Sequence, residues 1–371
     1  MVLNALPCKL MIVSRLRSWY GRFERPISSL SLILGFVFDA VTLKRVDMFW
    51  ENFWIVAHLA IVGLVIALIH THENGGNDEA DSSKAHFWYV NILQFFFGGI
   101  FSTYLVLYFR SADLFVTWPF IVILAVAFVA NESLKRHYVR LSFQIGLFFL
   151  SIYSFAIFLV PVLLHQIGDA IFVLSGVVSV LFIGIYILLL FFLAKEKFSG
   201  SKKILFFLIT GILAVVNILY FTNLIPPIPL SLKDAGVYHS IQKNADGNYV
   251  VTYENLGLSG YFSLYPKFQE VAGDTVYAYS AIFSPSNLNT TIVHEWQYYD
   301  GIQKLWVTVN EVALPVIGGR DGGFRTFSSQ SNVFDGNWRV NIKTAQGQLI
   351  GRLRFSIVQG NTEPPLVTDI K

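Results

Sequence analysis

Cysteine and charge are what this sequence has least of. Its 371 residues include one cysteine, Cys8, which excludes an internal disulfide framework and any cysteine-rich metal site. The compartment stays open, because a domain of ordinary size folds without staples. Charged residues are 14% of the chain, against roughly a quarter in soluble proteins. With 54% hydrophobic residues, that deficit points to the membrane class. The familiar catalytic signatures are missing too. No Gly-rich phosphate loop followed by Lys, no His-Glu-x-x-His and no nucleophile elbow occurs. No internal repeat occurs either. No catalytic residue, metal or cofactor is therefore assigned.

The charge that is present is uneven. Up to about residue 225, long apolar runs alternate with short charged loops; from Lys233 onward eleven Lys/Arg meet twelve Asp/Glu. The formal +3 comes from the first part and reports topology. The near-neutral second part lacks the basic footprint that nucleic acid requires, so no nucleic-acid partner is expected.

Residues 1–26 form a basic N-terminus, with Lys9, Arg15, Arg17, Arg22 and Arg25 against Glu24. A signal peptide is disfavoured, since the leader is long, no small-x-small site follows and further apolar segments come after it. Seven spans are expected within 27–222: 27–43, 52–70, 87–108, 114–130, 141–164, 171–193 and 204–221. Each is near the roughly 20 residues that cross hydrocarbon as a helix. Helices are required because backbone groups in lipid must be satisfied internally. Loop 131–140 carries Lys135, Arg136 and Arg140, and loop 194–203 carries Lys195, Lys197, Lys202 and Lys203. The alternate loops, 111–113 and 165–169, carry no Lys or Arg. Basic loops stay inside, so the N-terminus is expected in the cytoplasm and everything after Phe221 outside. The acidic loop 71–86 falls on the inner side, but acidic residues weigh little in this rule.

Inside the spans, Asp39 and His58 are the ionisable candidates for a polar path, with Asn91, Gln94, Gln144 and Asn217 as neutral ones. No matching pair of Gly/Pro-broken helices supports alternating access, so the spans read first as an anchor. Gly98-Gly99 and Ser102-Thr103 suit close helix packing. His70, His72 and His86 border an acidic loop, but their spacing matches no metal pattern.

Residues 223–241 are a junction. Pro226, Pro227 and Pro229 make it extended and stiff, and residues 231–241 read as a short helical or irregular lead-in containing a solvated His239. Period-two alternation then predicts strands at 249–253, 261–265, 275–283, 292–298, 305–312, 338–343 and 349–357. Turn signals such as Asp300-Gly301 separate them. Tyr277, Tyr279, Ala281 and Phe283 share one face, as do Ile292, His294, Trp296 and Tyr298. The expected architecture is an α-helical transmembrane bundle of about seven spans, followed over 242–360 by an all-β, immunoglobulin-like sandwich, with a tail at 361–371.

A resemblance rests on His294-x-Trp296, the Trp306-x-Thr-Val strand, Arg325-Thr-Phe-Ser-Ser, Gly336-x-Trp338-x-Val340 and the final Gly-x-Leu strand. Over about 270–358 this order resembles the bacterial proteins carrying domain of unknown function 2914. The Pro-rich junction running into Leu-Ser-Leu-Lys-Asp resembles their multi-span members. The resemblance implies a membrane-anchored domain and supplies no activity.

Binding candidates are His294, Trp296 and Tyr298 as an aromatic surface for a sugar or peptide, and Arg320, Arg325 and Arg339 as an anion patch. The competing reading makes His294 a half-buried strand residue, the aromatics core and the arginines ordinary exposed side chains, and it leads for each. Residues 318–323, Gly-Gly-Arg-Asp-Gly-Gly, read as a mobile tip or binding loop. The first expectation is a bacterial cytoplasmic-membrane protein presenting a non-catalytic domain to an envelope protein or glycan. The second is a transporter or sensor whose helices do the work. An envelope hydrolase comes third, since Glu295 and Asp300 do not make a carboxylate pair by proximity in sequence alone.

Overall fold

The computed structural model describes residues 33–43, 47–72, 79–111, 113–133, 140–193, 195–255, 257, 263–271, 273–360 and 364–371. Among these are seven helices: α1 (Ile33–Thr42), α2 (Phe49–His72), α3 (Glu79–Arg110), α4 (Leu114–Ser133), α5 (Leu141–Leu164), α6 (Asp169–Leu193) and α7 (Lys195–Phe221). Five contain stretches long and apolar enough to cross a membrane: Phe49–Thr71, Trp88–Arg110, Leu141–Leu164, Asp169–Leu193 and Lys202–Phe221. The other two expected spans are shorter apolar helices, Ile33–Thr42 and Val116–Val129. At 1.5 Å per residue neither described apolar stretch reaches the roughly 30 Å of a hydrocarbon core, although α4 as a whole is 20 residues long. Residues 27–32 of the first expected span lie outside the described residues.

α5 is the centre of the bundle and packs on α2, α3, α6 and α7. Its buried side chains include Phe148, Phe149, Tyr153 and Phe158. Tyrosine hydroxyls tie neighbouring helices to it: Tyr104 donates to Ser151 O and Tyr108 to Ser154 O, each at 2.8 Å. Gly176 on α6 admits the Tyr153 ring, because a Cβ there would lie 3.1 Å from its hydroxyl. α6 turns Leu181, Phe182, Ile185, Leu188, Leu189 and Phe192 outward. A helix apolar on both faces is consistent with insertion into a membrane.

The C-terminal region is β-rich, with β1 (Ser231–Tyr238), β2 (Ser240–Lys243), β3 (Tyr249–Glu254), β4 (Lys267–Val271), β5 (Val276–Phe283), β6 (Thr290–Asp300), β7 (Leu305–Val316), β8 (Phe324–Gln330), β9 (Gly336–Thr344), β10 (Leu349–Gly360) and β11 (Leu366–Ile370). They form three sheets, ordered β1-β5-β8, β4-β10-β9-β6-β7 and β11-β3-β2. Val276, Ala278 and Ile282 of β5 face Trp296, Trp338, Val340, Ile342 and Phe355 of the five-stranded sheet, and this is the main core. The opposite face of β5 carries Tyr279 and Ala281, which pack on Tyr238, Ile241 and Val251 under the third sheet. The domain thus has three layers where alternation alone suggested two. β4 runs parallel to β10, while the other pairings among the described residues are antiparallel.

Several expectations are corrected. The lead-in at 231–241 is two strands. β1 pairs with β5 from Ser231↔Phe283 to Tyr238↔Tyr277, and that non-local ladder overrides the weak strand preference of Lys233-Asp234-Ala235-Gly236. The tail is not loose, since β11 pairs with β3 and Lys371 exchanges both backbone hydrogen bonds with Tyr249. Residues 261 and 262 of the expected strand at 261–265 lie outside the described residues, and residues 263–265 are not strand. A register shift between Leu349 and Gly351 changes the phase of β10, so Ile350 enters the core beside Ile282 and Ile342.

The junction is packed. Ile225 and Ile228 belong to the core of the helical bundle, and Leu230 belongs to the core between the sheets. Ile167, in the α5–α6 link, packs on that same inter-sheet core. Ser286 N donates to Asp47 Oδ2 at 3.2 Å, just before α2. The domain therefore sits on the bundle end formed by the links before α2 and between α5 and α6, together with the end of α7.

Candidate functional site

On β6, alternation carries Ile292, His294, Trp296 and Tyr298 toward the opposing sheet. Across the gap, β5 presents Ser280 and β8 presents Ser328. His294 Nε2 lies 2.8 Å from Ser280 Oγ, and Nδ1 lies 2.9 Å from Ser328 Oγ. Trp296 Nε1 donates to the same Ser328 Oγ at 2.9 Å. Ser280, His294 and Trp296 are 0% exposed and Ser328 is 4% exposed. Burial pushes the His294 imidazole down to about 4, so the ring is neutral at neutral pH. A proton order that closes the network runs from Trp296 N–H to Ser328 Oγ, from Ser328 O–H to Nδ1, and from Nε2–H to Ser280 Oγ.

A serine beside an imidazole begins an acyl-transfer site only if substrate reaches it and a third group orients the base. Here both ring nitrogens are occupied by serines and all four residues are buried. The arrangement is a polar bolt between two sheets. The expected aromatic surface at His294 and Trp296 is corrected accordingly, because the strand period aims both residues into the core. Tyr298 is half-buried against Phe334 and Trp338.

The outer face of the five-stranded sheet holds a second polar set. Arg339 lies 4.2 Å over the Trp306 ring, and its Nε donates to Gln297 Oε1 at 2.6 Å. Asn341 Nδ2 donates to Glu295 Oε2 at 2.7 Å and Arg352 Nε donates to Asn341 Oδ1 at 2.5 Å. Lys343 bridges Glu295 at 2.9 Å and Glu311 at 3.0 Å. Burial alone would raise the Glu295 carboxyl, but hydrogen bonds from Asn341 and Lys343 outweigh it and hold it below its ordinary value. Burial, then the neighbouring Arg352 charge, brings Arg339 down to about 10, which leaves it protonated.

Arg320 and Arg325 lie elsewhere. With Lys243, Asp246, Gly247, Asn248, Tyr249 and Phe324 they line a cleft of about 360 Å³ where the β2–β3 turn meets the start of β8. Arg325 Nη1 donates to Asn248 Oδ1 at 2.9 Å, and the Arg320 guanidinium lies 5.9 Å over the Phe324 ring. The arginine patch read from sequence is therefore split, with Arg339 on one sheet face and Arg320 and Arg325 together in the cleft. Lys243 and Asn248 carried no sequence signal, being about eighty residues from the arginines they join.

In the bundle, Ser102 Oγ donates to Asp39 Oδ2 at 2.5 Å. His58 Nδ1 donates to Trp54 O at 2.8 Å, and a Cβ on Gly99 would meet the His58 ring at 3.2 Å. Gly99 thus makes room for an imidazole in addition to allowing helices to approach. His70 Nε2 lies 2.8 Å from Gln144 Oε1, a buried polar pair. Residues 73–78 of the adjacent acidic loop lie outside the described residues. His239 is not simply solvated: it pairs with Glu254 Oε1 at 3.0 Å and stacks on Phe268. Among the described residues, no group of three or more His, Cys, Asp or Glu is placed to hold a metal ion.

No curated protein matches the chain. Among solved structures, an alkylpurine DNA glycosylase, AlkC, from Pseudomonas fluorescens, bound to DNA containing an abasic site analog, aligns at 9% identity over 84% of this chain and 99% of that one. The TM-score of that alignment is 0.21, too low to carry fold or function. Residues 289–357 match the family described as protein of unknown function (DUF2914). They run from the start of β6 through most of β10, including His294, Trp296 and Trp338, so the chain carries a DUF2914 domain at its C-terminal end.

Proposed function

We propose that this chain is a bacterial cytoplasmic-membrane protein whose helices anchor a non-catalytic binding domain on the extracytoplasmic face. The observation that carries this reading is the end of the bundle on which the domain sits. It rests on the links before α2 and between α5 and α6. Positive charge is concentrated at the opposite end: links 131–140 and 194–203 carry seven Lys/Arg, against Lys44 and Arg45 in the links on the domain side. Positive loops remain cytoplasmic, which favours the domain outside. α4 starts beside Asp113, whose charge acts on Arg352 of the domain, while α5 ends at the domain side. The chain between them must return to the far end, which supports crossing by α4 despite its shorter apolar stretch. The non-catalytic reading is supported by the sealed His294, and the binding reading by charged side chains gathered on the outer surfaces. The immunoglobulin-like class belongs to this proposal as the nearest two-sheet description of β1-β5-β8 facing β4-β10-β9-β6-β7. An envelope polypeptide or glycan is the partner class.

The test is an alkaline phosphatase fused after Lys371. Activity is expected. An inactive enzyme on a correctly inserted fusion places the domain in the cytoplasm and ends the proposal.

A second reading, in which the helices transport or sense and the β domain regulates them, draws on one observation: Asp39, Ser102 and His58 meet among α1, α2 and α3. Intramembrane ionisable groups favour function. Replacing Asp39 by Asn and His58 by Gln separates the readings. If the chain still inserts but its cellular phenotype is lost, the working-helix reading is preferred.

A further inference from the structure

The cleft between the β2–β3 turn and the Gly318–Gly323 loop is unaccounted for by anything above. Lys243, Arg320 and Arg325 come from three separate segments and line one space, with Asp246 as the only carboxylate among its described lining residues. Asp321 belongs to the same loop but does not line it. Arg325 is held in place by Asn248, so part of its orientation is set before any ligand arrives. Tyr249 and Phe324 supply an apolar wall. Gly247 (φ +81) and Gly323 (φ +84) adopt the left-handed backbone that lets the two turns curl around the opening. The volume, about 360 Å³, lies in the range of small-molecule sites, roughly 300–1,000 Å³.

The cleft's position narrows its ligand. The Gly318–Gly323 loop rests on Ser284–Leu288, since Gly319 N donates to Ser284 O and a Cβ on Gly318 would overlap Pro285 O. That segment in turn meets the bundle, through Ser286 to Asp47 and through Phe283 in the bundle core. Ile317, at the base of the loop, is 57% exposed. Cations beside an exposed apolar side chain, on the rim facing the bundle, suit the headgroup layer of a bilayer.

We propose that this cleft binds a phosphate ester anion, with Arg325 and Arg320 as the directional donors and Lys243 as a third positive charge. The shared chemistry has two sources, an anionic phospholipid headgroup and a soluble phosphate ester. The headgroup source rests on the membrane reading given above.

The experiment uses the full chain, purified in detergent, in two arms. In one, it is reconstituted into phosphatidylcholine nanodiscs with and without phosphatidylglycerol, and lipid retained on release is counted by native mass spectrometry. In the other, glycerol 3-phosphate is titrated into the detergent sample and followed by phosphorus NMR line broadening. Arg325→Gln and Arg320→Gln are each expected to weaken binding about tenfold. Arg320 is exposed, so its variant keeps the test valid even where Arg325→Gln disturbs folding through Asn248. Binding in the lipid arm alone assigns the headgroup, whereas binding in the titration arm assigns a phosphate ester from solution. Absence of binding in both arms, or equal binding by wild type and both variants, overturns the proposal. A chain that enters neither nanodisc overturns the membrane reading and leaves the titration arm to decide the cleft.

Discussion

Protonating His294 would place a charge between two sheets, where its described partners are the neutral hydroxyls of Ser280 and Ser328. The folded imidazole is held down to about 4, against 6.5 in the unfolded chain. As pH falls, the unfolded chain takes up the proton first. Stability is therefore complete above about pH 6.5, falls between there and about pH 4, and is flat in this respect below. The loss is expected to total roughly 3 kcal/mol. Thermal melting of the detergent-solubilised protein across that window measures it, and His294→Gln should flatten the slope. The two serines of the network are not equivalent. Ser328 serves both His294 Nδ1 and Trp296 Nε1, while Ser280 serves only Nε2. Ser328→Ala leaves two buried groups without that partner and should cost about 2–5 kcal/mol, against about 1–3 kcal/mol for Ser280→Ala. Equal melting temperatures for the two variants would contradict this account. That His294, Trp296 and Tyr298 share a face is readable from the period of two. That the face is sealed is not, because sealing depends on Ser280 and Ser328 arriving from other strands.

At the scale of elements, legibility followed locality. β9 and the part of β10 after its register shift alternate, and the two strands are joined by a short turn in which Gly347 N donates to Thr344 O at 2.9 Å, so period and turn chemistry suffice to identify them. β1, β4 and β11 have no such pattern. β1 contains Lys233-Asp234-Ala235-Gly236, and each of the three is held by a ladder to a strand distant in sequence. The Gly318–Gly323 loop reads as mobile from composition, yet Gly318 is wedged against backbone: a Cβ would lie 1.9 Å from Pro285 O and 2.8 Å from Leu288 O. Gly318→Ala must therefore push the loop off Ser284–Leu288. Faster amide exchange at Gly319, whose N–H bonds Ser284 O, is the expected readout, with a loss of about 1–3 kcal/mol. Unchanged protection at that amide would show that the loop has another seat.

For the whole molecule, the packed junction makes a mechanical claim. Ile225 and Ile228 sit in one core and Leu230 in the next, with Ile167 reaching over from the α5–α6 link. Bundle and domain should then melt in one transition. Introducing Ile228→Ser, which exchanges a side chain in the bundle core for a small polar one, should split that transition into two; a wild type that already melts in two steps would refute the coupling.

Sequence by itself determined the composition of each half, the apolar runs of the helices, the alternation of the longest strands and the DUF2914 signature. All of these depend on neighbours within a few residues, where backbone periodicity and solvent preference act directly. Tertiary structure alone decided which charges meet. It sealed His294 between serines, stacked Arg339 on Trp306, and gathered Lys243 with Arg320 and Arg325 around one cleft. Those contacts join residues tens of positions apart, and no local pattern encodes them, because pairing is set by the sheet ladders and by which face each strand turns to its neighbour.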